Sequence, residues 1–256
     1  MNYFKAKIAA ERYSKGRPDF HSNTIRHIKN YLNFDKKVNN ALDIACGTGL
    51  STKALLEIAS NVYGTDSSQE MLNFAFQSGK IHYSLASAEQ QPFPDNTFDL
   101  ITVSSGVHWF DIDKFLMEVK RLLKTKSWLV LYENHFIAEM AGHENFSDWF
   151  RNVYLKKFPS PPRNNSYDWS NINLKSKNLN LITEEKFKNA VILTKEQLAL
   201  YFTTQSNIIA AVEKNQTTYV QVENWLNLEL STFFDNDGAG RTINFGNWIK
   251  YIQRAN

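Results

Sequence analysis

The chain has 256 residues, 43% of them hydrophobic and 21% charged, which excludes a disordered, collagen-like or coiled-coil protein. The net charge of +3 hides a segregation: residues 1–37 carry 9 Lys and Arg against 3 Asp and Glu, residues 38–150 carry 7 against 14, and residues 151–190 carry 8 against 3. The single cysteine, Cys46, excludes an internal disulfide framework and a multi-cysteine zinc cluster, and no apolar run nears the ~20 residues of a membrane span.

Residues 4–32 read as two helices broken at Lys15-Gly16-Arg17-Pro18, because Pro18 disfavours helix at Arg17. Asn39 to Ala45 is a short apolar run entering the turn Cys46-Gly47-Thr48-Gly49, the pattern of a buried strand that ends in a glycine turn. Leu50 to Ala59 has helical spacing, and Asn61 to Thr65 is a second strand ending at Asp66. Ser67 to Ser78 is predicted helical, with Ser67 or Ser68 as its cap. Lys80 to Leu85 and Phe98 to Ser104 are the third and fourth strands. Asp111 to Leu123 is an amphipathic helix, and Ser127 to Tyr132 a fifth strand. Strands alternating with helices of this length predict βαβ units in a doubly wound, mainly parallel α/β sheet.

The rhythm fails after residue 134. Residues 135–185, rich in aromatics, Asn, Ser and Pro, read as a cap insertion with Trp149, Phe150, Tyr154, Phe158, Tyr167 and Trp169 in its core. Phe187 to Leu193 is a strand, Thr194 to Val212 a helix capped by Thr194, Thr218 to Phe234 a weaker helix, and Arg241 to Ile252 a last strand. The expected division is a single domain: a helical cap at 1–34, a core at 38–134, the insertion, and a part at 186–256 that completes the sheet.

The sharpest signal is Asp43-Ile44-Ala45-Cys46-Gly47-Thr48-Gly49, between a strand and a helix. Glycines there let a ligand approach the backbone, and the helix start offers unpaired N–H groups. Open α/β sheets bind ligands outside the carboxyl ends of their strands, where this turn falls. Asp66 ends the second strand, where an acid can accept hydrogen bonds from both ribose hydroxyls of an adenosine cofactor. The dinucleotide pattern G-x-G-x-x-G fails at its third glycine, since the chain has Gly47-x-Gly49-x-x-Thr52. A carboxylate at Asp43 also serves phosphates poorly, whereas it suits the amino group of S-adenosylmethionine (SAM). Residue chemistry favours a SAM site and leaves a dinucleotide oxidoreductase as an alternative.

ALDIACGTGLST resembles the first motif of class I SAM-dependent methyltransferases. VYGTDSSQEML, SAEQQPFPDNTFDLI, SSGVHWFD and FLMEVKRLLKTKSWLVLYE resemble the segments that follow it in that family, in order. The likeness is closest to the small-molecule branch known as the type 11 methyltransferase domain. It covers residues 40–134, and more weakly 10–18 and 191–206. Ala45 stands where many relatives have glycine.

The resemblance implies a seven-stranded, Rossmann-like sheet whose last strand, near Arg241 to Ile252, is antiparallel. It implies a SAM-binding core at 38–134, with Asp43, Ala45, Cys46, Gly47, Thr48 and Gly49 against the cofactor. Asp66 and Ser67 would meet the ribose, and Met71, Ala88 and Glu89 the adenine. Ser104 and Ser105, at the end of the fourth strand, are expected cofactor contacts. Tyr13 and Arg17, four apart and so on one helix face, would close over the methionine end, with Arg17 pairing to the SAM carboxylate. His108 is the candidate general base, since imidazole titrates near neutrality, and Trp109 a wall for the substrate. Asp99, ahead of the fourth strand, is read as structural. Cys46 has no adjacent base and is not expected to be a nucleophile.

The implied activity is methyl transfer from SAM to O, N or C of a small-molecule acceptor, leaving S-adenosylhomocysteine (SAH). No metal is implied, because the histidines form no H-E-x-x-H pattern. The basic flanks keep an RNA or DNA methyltransferase as an alternative, although no RRM, KH or zinc-finger module is recognisable. A SAM-binding protein without catalysis is a third reading. MNYFKAKIAAERYSKG lacks the apolar stretch of a signal peptide, so the expectation is a cytoplasmic monomer or homodimer with no membrane association.

Overall fold

The structure is a computed structural model and describes residues 7–161, 167–235 and 238–256. Seven strands, β1 (Val38–Ile44), β2 (Ala59–Asp66), β3 (Ile81–Leu85), β4 (Phe98–Ser104), β5 (Leu123–Met140), β6 (Leu179–Leu193) and β7 (Arg241–Arg254), form one sheet in the order β3-β2-β1-β4-β5-β7-β6. The first five pair in parallel. β7 is antiparallel to β5, since Ala141 N donates to Thr242 O, Trp248 Nε1 to Glu133 and Gln253 Nε2 to Lys126 O. It is also antiparallel to β6, through Ala255 N to Asn178 O and the Tyr251–Glu185 hydrogen bond. The sequence expectation of a mainly parallel seven-stranded sheet holds.

Helices α1 (Lys7–Gly16) and α2 (His21–Tyr31) flank the expected break at Pro18. α3 (Leu50–Leu55), α4 (Gln69–Asn73) and α5 (Ile112–Leu122) are crossovers between parallel strands. α6 (Phe146–Trp149) runs through a π turn at Phe150–Tyr154 into α7 (Leu155–Lys157), and α8 (Asn171–Lys175) precedes β6. α9 (Lys195–Thr203), α10 (Ser206–Glu213) and α11 (Tyr219–Leu230) separate β6 from β7. The caps are local chemistry: Asp111 accepts from Lys114 N at the start of α5, and Thr194 and Thr218 form capping boxes with Gln197 and Gln221. α5 buries Phe115, Leu116, Val119 and Leu122, each worth roughly 1.5–3 kcal/mol of transfer free energy.

Five expected elements are corrected. The helix expected over Ser67–Ser78 is only α4, because the chain turns back so that Phe76 N reaches Thr48 O at 3.0 Å. α3 stops at Leu55, since Ala59 already begins β2. Residues 135–140 continue β5, and β6 begins at Leu179, well before Phe187. Thr194–Val212 breaks at Thr204-Gln205, where the Thr204 hydroxyl bonds Tyr201 O at 2.6 Å and draws α9 to a close.

Two compact units share the chain. One comprises Met1–Phe20, His135–Pro162 and Lys188–Gly246, with a core rich in aromatic rings, among them Phe146, Trp149, Tyr154, Phe202 and Phe245. Gly16 lets α1 lie close to α9, because a Cβ there would sit 2.8 Å from Leu200 O. The other comprises His21–Asn134, Arg163–Phe187 and Asn247–Asn256 and holds all five parallel strands up to Asn134. Alternate strand residues enter different cores there: Ile101, Val103 and Leu131 pack with α5, and Leu100 and Val130 with α2 and α3.

Candidate functional site

The carboxyl ends of β1, β2 and β4 lie at one level, with Ile44 opposite both Thr65 and Val103. The turn leaving β1 has three left-handed residues, Ala45 (φ +57°), Gly47 (φ +54°) and Gly49 (φ +75°). Ala45 is the departure from the family pattern, and an alanine in this region costs about 1–2 kcal/mol that glycine does not. Gly47 N donates to Asp66 Oδ2 at 2.9 Å, and Ser68 N to Asp66 Oδ1 at 2.8 Å. Asp66 therefore clamps the β1 turn to the end of β2. A carboxylate offers about four acceptor positions, so these two bonds leave others for hydroxyls. Burial pushes the Asp66 carboxyl up, against the opposing pull of the Ser68, Gly47 and Ser67 N–H groups.

Asp43 has a different task from the ligand contact expected of it. It is fully buried and accepts hydrogen bonds from Ser51 Oγ (2.6 Å), Thr52 Oγ1 (2.7 Å) and Thr102 Oγ1 (3.0 Å). These bonds pin the first turn of α3 to β1 and β4. Burial pushes the Asp43 carboxyl up to about 6 despite the three hydroxyls.

Gly49 is required by a close approach as well as by its φ. A Cβ there would lie 2.2 Å from Tyr83 Oη, whose hydroxyl donates to Phe76 O at 2.9 Å. A Cβ on Gly47 would lie 3.0 Å from Met71 Cε, so Met71 packs against the turn. Thr48 Oγ1 is buried with no hydrogen-bond partner among the described residues. Cys46 is buried, and that burial pushes its thiol well up, so it is no nucleophile. Ser67 stays exposed beside Asp66.

Ala88 is buried, and Glu89 accepts from Asp111 N at 2.9 Å and so holds the loop ahead of α5. Ser104 pairs with Tyr132 in the sheet, and Ser105 (φ +56°) donates its N–H to Tyr132 O. His108 and Trp109 share a single 3-10 turn, Val107–Trp109, with ring centroids 4.8 Å apart. Tyr13 and Arg17 lie in the other unit, where the Arg17 guanidinium sits over the Tyr13 and Tyr201 rings and donates to Thr204 O at 3.1 Å.

Residues 42–131 match the model of the methyltransferase domain family. A methyltransferase-named protein of Dictyostelium discoideum is 31% identical over 123 residues, covering 48% of this chain and 46% of its own length. The demethylmenaquinone methyltransferase of Bacillus licheniformis is 36% identical over 126 residues, covering 46% of this chain and 51% of its own. A solved structure of a type II methyltransferase from Anaeromyxobacter dehalogenans has a TM-score of 0.67 at 16% identity, covering 89% of this chain and 94% of that one, and shows the same fold. The chain has the fold of class I methyltransferases, and its residues 42–131 are similar to their common domain. It spans about half the length of the curated relatives it matches.

Several residues that shape this edge were not expected from the sequence. Ser51, Thr52 and Thr102 hold Asp43, and the hydroxyl pair Ser51-Thr52, one residue beyond the glycine turn, is the available signal. Gly106 lets the loop after β4 pass the β1 turn, since a Cβ there would sit 2.8 Å from Ala45 Cβ. A cavity of about 560 Å³ opens beside His108, lined also by Glu133, Tyr167, Trp169 and Trp248. Nothing in local spacing joins residues so far apart in the chain.

Proposed function

We propose that the protein transfers a methyl group from SAM to a small-molecule acceptor. The observation that carries this reading is the Asp66 clamp: one carboxylate holds the glycine turn through Gly47 N and still has acceptor capacity at the sheet's carboxyl edge. A nucleoside suits that carboxylate and the orphaned Thr48 hydroxyl in the same turn. A phosphate would meet the Asp66 carboxylate instead of a basic group.

Bound SAM supplies an electrophilic methyl on a sulfonium, so the protein's work is orientation and exclusion of water. Asp66 accepts from the ribose hydroxyls. Met71 and Ala88 give the adenine apolar contact, and Ser104 and Ser105 border the reacting end. Asp43 acts at one remove, by fixing the start of α3 on which the turn depends. An acceptor that begins protonated gives its proton to His108. The acceptor is not transferred from the relatives, because their identity with this chain covers about half of each.

Calorimetric titration with SAM and SAH tests the reading. Micromolar binding is expected, weakened at least tenfold, or about 1.4 kcal/mol, in Asp66→Ala. A folded protein that binds neither ligand overturns it.

A further inference from the structure

The cavity beside His108 lies wholly within the unit that holds the parallel strands, and its 560 Å³ is the size of a small-molecule pocket. Its walls come from the loop after β4, the segment ahead of α8, and neighbouring positions of β5 and β7. Two kinds of group dominate them. The first is aromatic: Tyr167 and Trp169 meet edge to face with centroids 4.9 Å apart, and the Trp248 indole is set by its Nε1–H bond to Glu133 at 3.1 Å. The second is anionic. Four carboxylates line the cavity against one ammonium, that of Lys250, which is itself paired with Glu184. Asp111 and Asp113 are matched by Lys114 and Lys177. Asp168 accepts only from Ser170 and Asn173 and has no ion-pair partner among the described residues, so its charge stands at the wall.

We propose that this cavity binds an organic cation and that the methyl acceptor is an amine; the second clause rests on the methyltransferase reading above. Aromatic faces and carboxylates together attract an alkylammonium, whereas an anion would be repelled and a neutral apolar ligand would strip water from Asp168 without return. The chemistry agrees with the charge. The amine attacks as the free base, the N–C bond forms as the C–S bond breaks, and the bonding pair returns to sulfur. Positive charge therefore develops on nitrogen, where these walls stabilise it more than they stabilise the neutral amine. An amine that arrives protonated first gives its proton to His108 on the same wall, and the methylated nitrogen leaves as the cation.

Choline, the product-like probe, and its neutral carbon isostere dimethylbutanol test the proposal on the full chain. The readout is the indole N–H resonances of the tryptophans, assigned through Trp169→Phe and Trp248→Phe. Saturable shifts at Trp169 and Trp248 with choline are expected, with at least tenfold weaker binding of dimethylbutanol. Trp169→Ala should weaken choline at least fivefold, and Asp168→Asn, at an exposed position that spares the fold, should weaken it too. Equal binding of the isostere, tighter binding of dimethylbutanoate, or no response to choline overturns the cation site. SAH calorimetry on the same sample separates the two readings. SAH binding without a choline response removes the amine and keeps the methyltransferase. A choline response without SAH binding removes the methyl-transfer role and with it the amine acceptor.

Discussion

Asp43 keeps a carboxylate inside the sheet at a cost that depends on pH. Its folded carboxyl holds the proton up to about pH 6, while an unfolded aspartate releases it near 4. Between those values the native state binds more protons, so this group's contribution falls as pH rises and is fully lost above about 6. Burial shifts Asp66 in the same direction. Asp43→Asn removes Asp43's share and leaves that of Asp66. The unfolding free energy of the wild type minus that of Asp43→Asn is therefore expected to grow by on the order of 1–3 kcal/mol as pH is lowered from about 7.5 to about 4.5. Denaturant titrations across that range measure it, and a flat difference would show that Asp43 is ionised throughout. The sequence reading found Asp43 and Asp66 from their places near strand ends, yet only Asp66 has a geometry open to a ligand. Spacing reveals where a carboxylate sits along a strand; it does not reveal that Thr102, 59 residues away, will bond it.

The parallel strands were legible because each is a short apolar run ended by a turn, the signature of burial on both faces. β6 was half missed because its outward positions carry Glu184, Lys186 and Lys188, with Thr183 and Glu185 between them, a polar run that reads as loop. α4 was overdrawn because nothing in its spacing reports that the chain must return to Thr48 and Tyr83. That return makes Gly49 a joint between β1, α3 and β3. Gly49→Ala adds a methyl at φ +75° and against Tyr83 Oη, so a loss of roughly 1–3 kcal/mol and of at least tenfold in SAM affinity is expected. Gly79→Ala, with nothing within 4 Å of the added carbon, should change stability by no more than about 0.5 kcal/mol. Tyr83→Phe removes the nearest atom, and the double variant should recover part of the loss. If Gly49→Ala melts and binds like the wild type, the close approach is not what fixes this turn.

At the scale of the molecule, the fold and the cofactor edge share one origin, since parallel strands bring their carboxyl ends together wherever the crossovers are helical. The acceptor has no such origin. The cavity proposed for it is lined from loops and from β5 and β7, and loops differ among proteins of one fold. The segregated charges of residues 1–37 and 151–190 are no guide either, because helix faces need charge for solvation alone. The cofactor can therefore be tested for the whole chain before any acceptor is known. A ligand that binds only the native state raises its stability by about 2.7 kcal/mol at a hundredfold excess over Kd. For a chain of this length that is roughly 5–10 °C in melting temperature. SAH is expected to produce such a shift in the wild type. In Asp66→Ala, at the same SAH concentration and measured against the variant's own ligand-free melt, a tenfold weaker Kd should leave about half of it. An undiminished shift in the variant would move the ribose anchor away from Asp66. No shift in a cooperatively melting wild type would remove the SAM pocket itself.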